Sequence, residues 1–373
     1  MKQIYLDFNA STPIAPEVAE AMRPFLTGHY GNPSSGHWAG VPAKEAVEKA
    51  RCQVAALLGC QADEIVFTSG GTEANNHAIK GVFCTQRQRG RHIVTTRVEH
   101  PAVIEPCRFL ERWGAEATYV PVDSTGRVDP DEVGKAITDQ TILVSVMHAN
   151  NEVGTIQPIA EISRITRERG ILFHTDAAQS VGKIPTRVED LGVDLLSVAG
   201  HKMYAPKGVG ALYIRRGTTV ESFMHGAGHE SGRRAGTENV PYDVGLGAAC
   251  EQSQAWLGMP TVKDLRDLFW KRLRESFGDR VSLNGHPTER LPNTLNVSFV
   301  GREGNQMLSG LKGVAASTGS ACHAGTVEMS PVLQAMGLKP HVAMGAIRFS
   351  LGRGSTSEEI EYVVERLGRN LDQ

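Results

Sequence analysis

The chain has 373 residues, of which 40% are hydrophobic, and its formal net charge is -2. This length can bury a large core, most simply in two domains. The balanced charge gives no basic footprint for nucleic acid or for an anionic membrane surface, and no run approaches the ~20 apolar residues of a membrane span. We therefore expect no nucleic-acid partner and no membrane segment. Asp7 follows the N-terminus too closely for a signal peptide.

Short apolar runs alternate with helical patterns from about residue 43 to residue 215. The first helical pattern, at 43–58, places Val47, Ala50 and Val54 on one face. This alternation predicts a mostly parallel sheet wrapped by helices. Beyond about Trp256 the pattern changes, which indicates a smaller α+β unit. We expect a large domain over 16–256 and a small domain formed by 1–15 and 257–373.

A glycine turn joins the first apolar strand of the large domain to a helix. The strand at 65–67 is followed by Gly70, Gly71 and Thr72, and then by a helical run. The free N–H groups and positive dipole end of a helix start suit a phosphate. The pattern is neither GxGxxG nor a Walker loop, and joins of this kind are common in α/β proteins.

Polar residues follow three further apolar runs. Asp176 can hold a pyridine nitrogen protonated or cap the next helix, and both interpretations stand. Gln179 can donate to a ring oxygen. His100 can stack on a flat ring or move protons, although a packed histidine is the alternative. Asn151 can bind a cofactor oxygen or a substrate carboxylate. Functional groups gather at the carboxyl ends of parallel strands, so we expect these residues to lie together.

Lys202 lies between two apolar runs, 195–198 and 209–214, at a bend marked by Gly200. A lysine held there is partly desolvated, as an amine must be to form a Schiff base. A surface lysine in a hairpin is the alternative interpretation. The upstream carboxylate, phosphate cup and histidine favour a pyridoxal 5'-phosphate site.

The C-terminal part of the chain carries an outlying cysteine and an outlying arginine. Five of the six cysteines are scattered without CxxC or zinc-type spacing, which predicts reduced thiols in a cytoplasmic protein and no metal site. Cys322 differs from them because it lies in a glycine-rich segment that we expect to be exposed. An adjacent Cys322-His323 metal pair is the alternative, but two neighbouring ligands make a poor site.

In the apolar strand at 346–351, Arg348 faces away from the apolar side chains and suits a substrate carboxylate or an internal salt bridge.

Ordered matches to one family run almost from end to end of the chain. They comprise residues 5–10, 31–37, 68–73, 99–100, 147–154, 176–179, 200–202, 233–239, 319–322 and 347–353. The chain resembles cysteine desulfurases of the NifS/IscS type, within the class V family of fold-type I pyridoxal-phosphate enzymes. The resemblance implies a homodimer that removes sulfur from L-cysteine, gives L-alanine, and carries the sulfur as a persulfide for an acceptor protein.

The resemblance also implies a role for each matching residue. Lys202 forms the Schiff base, Cys322 takes the sulfur, and His100 stacks on the ring and assists proton transfer. The expected substrate-binding residues are Asn32, Asn151 and Arg348. The expected cofactor-binding residues, of which Thr237 reaches the phosphate in the neighbouring subunit, are Gly71, Thr72, His100, Asn151, Asp176, Gln179, His201, Lys202 and Thr237.

Three departures from the family pattern leave alternatives open. Ala199 replaces a frequent serine, so one phosphate hydroxyl is missing. His323 follows the nucleophile, as in selenocysteine lyases. Little chain follows the helical pattern at 357–371, so the scaffold partnership of IscS-type enzymes is not implied. A selenocysteine lyase and a non-catalytic sulfur-relay scaffold remain alternatives. The sulfur acceptor stays open among iron–sulfur clusters, tRNA thiolation, DNA modification and selenium use.

Overall fold

A computed structural model of the chain describes residues 3–318, 320–323 and 326–371, the side chains of 320–323, 326–327 and 370–371 excepted. Within these residues, seven strands form the larger sheet, in spatial order Ile65–Thr68, Gly210–Ile214, Leu195–Ala199, Leu172–Asp176, Thr141–Ser145, His92–Thr96 and Glu116–Val120. Gly210–Ile214 pairs antiparallel with both neighbours, and the other neighbouring strands run parallel. The predicted fold class is confirmed.

The central strands of this sheet are buried on both faces. Every residue of Leu195–Ala199, Thr141–Ser145 and Gly210–Ile214 is buried. A strand covered on both faces has such a continuous apolar run, whereas a half-exposed strand would alternate. The α-helices of the described residues, some of which cover this sheet, are Pro16–Thr27, Gly40–Leu58, Gly71–Gln86, Pro101–Glu111, Pro130–Ala136, Ile159–Glu168, Val188–Leu191, Val240–Ser253, Pro260–Phe277, Gly304–Gly310, Pro331–Ala335, Pro340–Ala343 and Ser357–Leu371.

Helix boundaries follow local chemistry. Several helices begin with proline, whose missing N–H is not needed in the first turn, as at Pro16, Pro101 and Pro260. The helix predicted at 43–58 spans Gly40–Leu58 and ends at Gly59, whose φ of 70° is the left-handed cap that glycine adopts readily.

A second, antiparallel sheet has its own core. Its strands, in spatial order, are Ser317–Thr318, Ala346–Ser350, Thr294–Phe299 and Val281–Asn284. Phe269, Phe299 and Phe349 are fully buried between this sheet and two helices. Ile4 and Leu6 pack into the same core, because Ile4–Tyr5 pairs with Val314–Ala315. The predicted domain boundaries stay a prediction with which this separate core agrees.

A short strand pair precedes one of the C-terminal helices. Ser320–His323 and Thr326–Met329 form an antiparallel pair just before the helix Pro331–Ala335. Across the residues the structure describes, no helix is long and apolar enough to cross a membrane.

Candidate active site

A cavity of about 380 Å³ lies at the carboxyl ends of the parallel strands. Nine of the residues singled out in the sequence line it, namely Gly71, Thr72, His100, Asn151, Asp176, Gln179, His201, Lys202 and Arg348. Asp176 ends one strand of the large sheet, and His100 follows another a few residues on. The parallel sheet therefore gathers residues that lie far apart in sequence, as the strand-end rule predicts.

Lys202 ends a tight turn, Gly200–Lys202, between two buried strands. Its Nζ donates to the backbone oxygens of Asn9 at 2.5 Å and Ala10 at 2.8 Å. Burial, followed by the charge of the nearby Arg348 guanidinium, lowers the pKa of this amine from 10.5 to about 8. A substantial neutral fraction therefore exists near physiological pH, and the neutral amine is the nucleophilic form.

Asp176 is 5% exposed and keeps both carboxylate oxygens bonded. Oδ1 accepts from the Ala178 N–H at 2.9 Å, and Oδ2 accepts from Asn75 Nδ2 at 2.7 Å. One oxygen caps a turn and not the helix considered as the alternative, since the next helix begins only at Val188, while Asp176 also lines the cavity. These neutral donors orient the carboxylate but leave its charge unmatched by any cation among its hydrogen-bond partners in the described chain.

The glycine turn forms one end of the cavity. Gly70 has φ 146° and ψ 179°, and the helix Gly71–Gln86 begins directly after it. A Cβ on Gly71 would lie 3.1 Å from the Cβ of Ala199, so the two backbones approach closely here. Burial, followed by the charge of Lys202, lowers the pKa of His201 to about 4. His201 is therefore a neutral hydrogen-bonding group beside the helix start.

His100 is the N-cap of the helix Pro101–Glu111. Its Nδ1 accepts from the Ala102 N–H at 3.1 Å, so the neutral ring carries its proton on Nε2. Burial lowers the pKa of His100. The charge of Asp176 opposes this effect, and the charge of Lys202 adds to it. The cap fixes the ring at the cavity wall with a defined tautomer, which the packed-histidine alternative did not anticipate.

Arg348 is held by the chain before any substrate arrives. Nη2 donates to Asp7 Oδ1 at 2.7 Å and to Ser317 Oγ at 2.9 Å, while Nη1 donates to the Asn151 backbone oxygen at 3.0 Å. The internal salt bridge considered as an alternative is therefore present, with Asp7 as its partner. Among the described residues, Nε is buried without a hydrogen-bond partner. The guanidinium still lines the cavity.

Two predicted site residues lie elsewhere, and the side chain of a third is not among those described. Asn32 is exposed, and its Oδ1 accepts from the Ser34 N–H at 2.9 Å. Thr237 lines a separate cavity of about 160 Å³, beside Glu230 and Arg234. The backbone of Cys322 lies in the strand Ser320–His323, and its side chain falls outside the described residues. The roles of these three stay predictions.

Two asparagines of the cavity were missed in the sequence. Asn75 lies one helical turn after Gly71 and holds Asp176, while its own Oδ1 is buried without a partner among the described residues. Asn9 lies in a segment that matches the family, but nothing in the sequence around it indicates which distant residues it contacts. A polar residue one turn into the helix that carries the phosphate cup is the signal that points to Asn75.

Known proteins resemble this chain over nearly its full length. The class-V aminotransferase family matches residues 4–363. A cysteine desulfurase IscS of Dictyoglomus turgidum is 49% identical over 376 residues, covering 100% of this chain and 95% of that protein. Among solved structures, a NifS-like protein is 40% identical with a TM-score of 0.93 over 99% of both chains. A structure of SspA in complex with cysteine is 36% identical with a TM-score of 0.84, covering 93% of this chain and 98% of that one. The chain therefore belongs to the class-V aminotransferase family.

Proposed function

We infer that this protein is a pyridoxal-phosphate-dependent cysteine desulfurase, which takes sulfur from L-cysteine, releases L-alanine and holds the sulfur as a persulfide on Cys322. The observation that carries this inference is the convergence of Lys202, Asp176, His100 and Arg348 on one cavity. A desolvated amine, a buried carboxylate, a ring of defined tautomer and a guanidinium are the groups that such a reaction needs.

The cavity fits the cofactor. The helix start at Gly71, the Thr72 hydroxyl and the neutral His201 ring would hold the phosphate, and a Cβ on Gly71 would make a tight contact of 3.1 Å with Ala199. Asp176 would hold the pyridine nitrogen, and His100 would lie against the ring. When bound, pyridoxal phosphate withdraws electrons from the substrate α-carbon.

Lys202 supplies the proton-moving group. Its Nζ would bind the cofactor and would move the proton at the substrate α-carbon. The carbonyls of Asn9 and Ala10 hold that amine close to the cavity. With a pKa of about 8, it can both lose and regain a proton near neutral pH.

Arg348 and Cys322 act on the two ends of the substrate. The guanidinium would bind the cysteine carboxylate, with Asn151 beside it, while Asp7 keeps the arginine in place. The Cys322 thiolate then bonds to the substrate sulfur as the substrate Cβ–S bond breaks, and the carbon left behind is protonated to give alanine. His323 follows Cys322 directly, and a cationic or hydrogen-bonding neighbour would favour the thiolate.

A homodimer is part of the proposal, because Thr237 lies apart from the cavity of its own chain. Its loop is fixed by two ion pairs, Arg51 to Glu230 at 2.6 Å and Arg234 to Glu73 at 2.9 Å. A loop held in this way can present Thr237 to the phosphate of a neighbouring subunit. Mixing Thr237→Val chains with Lys202→Ala chains should restore activity in the dimers that keep one complete site. If both parent homodimers are weak or inactive and the mixed dimers recover no activity, Thr237 serves the site of its own subunit.

The compartment and the acceptor belong to the same proposal. Within the described residues, five cysteines are free, as expected of a reducing cytoplasm. A cytoplasmic protein that receives the sulfur is the partner we propose, and iron–sulfur cluster assembly is one pathway that would consume it.

Incubation of the purified protein with L-cysteine tests the activity. We expect alanine and protein-bound persulfide in equal initial amounts. Cys322→Ala should still bind cysteine but form no persulfide, and Cys107→Ala, which removes a buried thiol, serves as its control. Normal sulfide release by Cys322→Ala would exclude Cys322 as the nucleophile.

A selenocysteine lyase is the second candidate, favoured by His323 after the nucleophile. Turnover of selenocysteine by Cys322→Ala at the wild-type rate, with none on cysteine, would favour this second function, because elimination of selenium does not require the thiol.

A further inference from the structure

Lys183 is a buried lysine directly behind the active site. It is 5% exposed, and it lines a small cavity next to Lys202 rather than the main one. Its Nζ donates to Gln179 Oε1 at 2.9 Å and to Asn9 Oδ1 at 3.2 Å. Across the described residues, neither of its hydrogen-bond partners is a carboxylate. A cation so placed costs stability, because burial removes its hydration.

We propose that Lys183 is a positioning residue of the desulfurase reaction, which orients the Gln179 and Asn9 amides and through them the ring of the cofactor and the free amine of Lys202. This role rests on the proposed function of the cavity. Lys183 itself does not line the cavity in which the chemistry occurs, so it acts through the two amides.

The first orientation is that of Gln179. An amide can turn over and exchange its oxygen with its nitrogen, and hydrogen-bond partners decide between the two. Lys183 offers an N–H, so Gln179 presents Oε1 to it. Nε2 then faces the other way and donates to the Asn9 backbone oxygen at 3.0 Å. Lys183 therefore occupies the acceptor of Gln179 and leaves the donor end of this cavity-lining amide as the end that can bind elsewhere.

The second orientation is that of Asn9. Its Oδ1 accepts from both Lys183 and Asn293, the latter at 3.0 Å. Its Nδ2 is thereby turned to Thr294 Oγ1 at 2.8 Å and to the Asn151 backbone oxygen at 3.2 Å. With the side chain fixed on both sides, the Asn9 carbonyl is held where Lys202 Nζ meets it at 2.5 Å.

The charge of Lys183 agrees with this role. Burial lowers the pKa of Lys183 well below its usual value, and the positive charges of Lys202 and Arg348 lower it further. A neutral amine has two N–H groups, which match the two acceptors, and leaves no third donor unsatisfied. The lowered pKa favours this neutral form, which would add no second positive charge beside Lys202.

Lys183→Met is the main test, because methionine fills similar space without an N–H. Lys135→Met, at an exposed position, is the matched control. In the variant we expect kcat to fall by about tenfold with KM for cysteine changed by less than about threefold, as for a loss of positioning rather than of substrate binding. The pH midpoint of the visible absorption of the bound cofactor should shift by about half a unit or more, because the donor on its ring oxygen is no longer fixed. The control should match the wild type in each measurement.

A double-mutant cycle shows whether Lys183 acts through Gln179. In a Gln179→Leu background, Lys183→Met should shift the absorption midpoint far less than it does in the wild type, because the residue it orients is gone. Equal shifts in both backgrounds would overturn the proposal. So would an unchanged midpoint and kcat in Lys183→Met with intact helical circular dichroism.

A third variant keeps the proposal testable if Lys183→Met does not fold. Lys183→Ala also removes the donor but adds no bulk to the site, so we expect the same shift of the absorption midpoint, and an unchanged midpoint in that variant would overturn the proposal. The absorption measurement needs no turnover. Absence of both alanine and persulfide from the wild type, with the midpoint shift still present, would refute the desulfurase activity while leaving the positioning role intact.

Discussion

The two sides of the cavity are built in different ways. The Asp176 side is assembled from strand ends and one helix start of the large sheet, and its carboxylate is held by neutral donors alone. The Arg348 side joins the two ends of the chain, since Arg348 pairs with Asp7 and Asn9 with Ser350, each 341 residues away. One side therefore keeps an unmatched charge for a ligand, while the other neutralises its charge in advance. Lys202 lies between them, and both Arg348 and Asp176 influence its pKa.

Removal of Lys202 should have the largest effect, because this amine serves both sides. We expect Lys202→Ala to lower turnover of cysteine to less than about 10⁻³ of the wild-type rate, as for loss of a covalent nucleophile that also moves the proton. Lys207→Ala, at an exposed position on the same hairpin, is the control. Borohydride reduction followed by peptide mapping should place the cofactor on Lys202. An adduct on Lys80, Lys183 or Lys207 would contradict the assignment.

The unmatched charge on the first side is tested by Asp176→Asn, which preserves the shape of the side chain. We expect kcat to fall by about 10²-fold, because the amide cannot hold the pyridine nitrogen protonated. The fold should survive, since the hydrogen bonds of Asp176 are to neutral groups. Asp139→Asn, on the surface, provides the comparison. Near-normal kcat in Asp176→Asn would mean that the carboxylate serves the turn alone.

The balanced side should respond more weakly and mainly in substrate binding. Arg348→Lys keeps the charge but loses the planar fork, so we expect KM for cysteine to rise by about tenfold with a smaller change in kcat. Arg23→Lys, which lies in an exposed pair with Glu20, is the control. If KM stays constant while the protein loses thermal stability, Arg348 is a structural partner of Asp7 and the substrate carboxylate binds elsewhere.

The smallest expected effect is on the pH dependence of stability. The folded pKa of Lys202 is about 8 and its ordinary value is 10.5. Between these values the unfolded chain holds a proton that the folded chain lacks, so the free energy of unfolding gains from Lys202 as pH rises. Urea unfolding of the cofactor-free protein at several pH values in this window should therefore give a steeper rise for the wild type than for Lys202→Met. The difference between the two proteins is the useful quantity, because buried Cys107 and Cys250 titrate in the opposite sense. Parallel curves would mean that Lys202 is not desolvated.

The Asp176 side is also the one that the sequence predicts best. Apolar runs and the polar residues that end them locate the strands, and parallel strands bring their carboxyl ends together by geometry alone. Asp176, His100 and Lys202 were found in this way. The predicted helix at 43–58 begins at Gly40 in the structure, three residues earlier, because no side-chain cap marks its start.

The Arg348 side could not be predicted to the same depth. Arg348 itself follows from strand alternation, but Asp7 and Asn9 reach it only through contacts between distant segments. Lys183 escaped notice because its sequence neighbourhood is that of an ordinary surface turn. Its Nζ binds the side chain of Asn9, which lies 174 residues earlier in the sequence. Local pattern carries no information about such pairings.

The pairing of the two chain ends has a consequence for biosynthesis. Asn9 leaves the ribosome well before Ser350, which its N–H binds at 2.9 Å, because 341 residues separate the two. The large sheet can form while the chain is still growing, since domains generally fold as units during synthesis. The carbonyls that hold Lys202 reach their places only after the strand Ala346–Ser350 has emerged. A nascent chain can therefore display most of its fold before the carbonyls of Asn9 and Ala10 hold Lys202 in place.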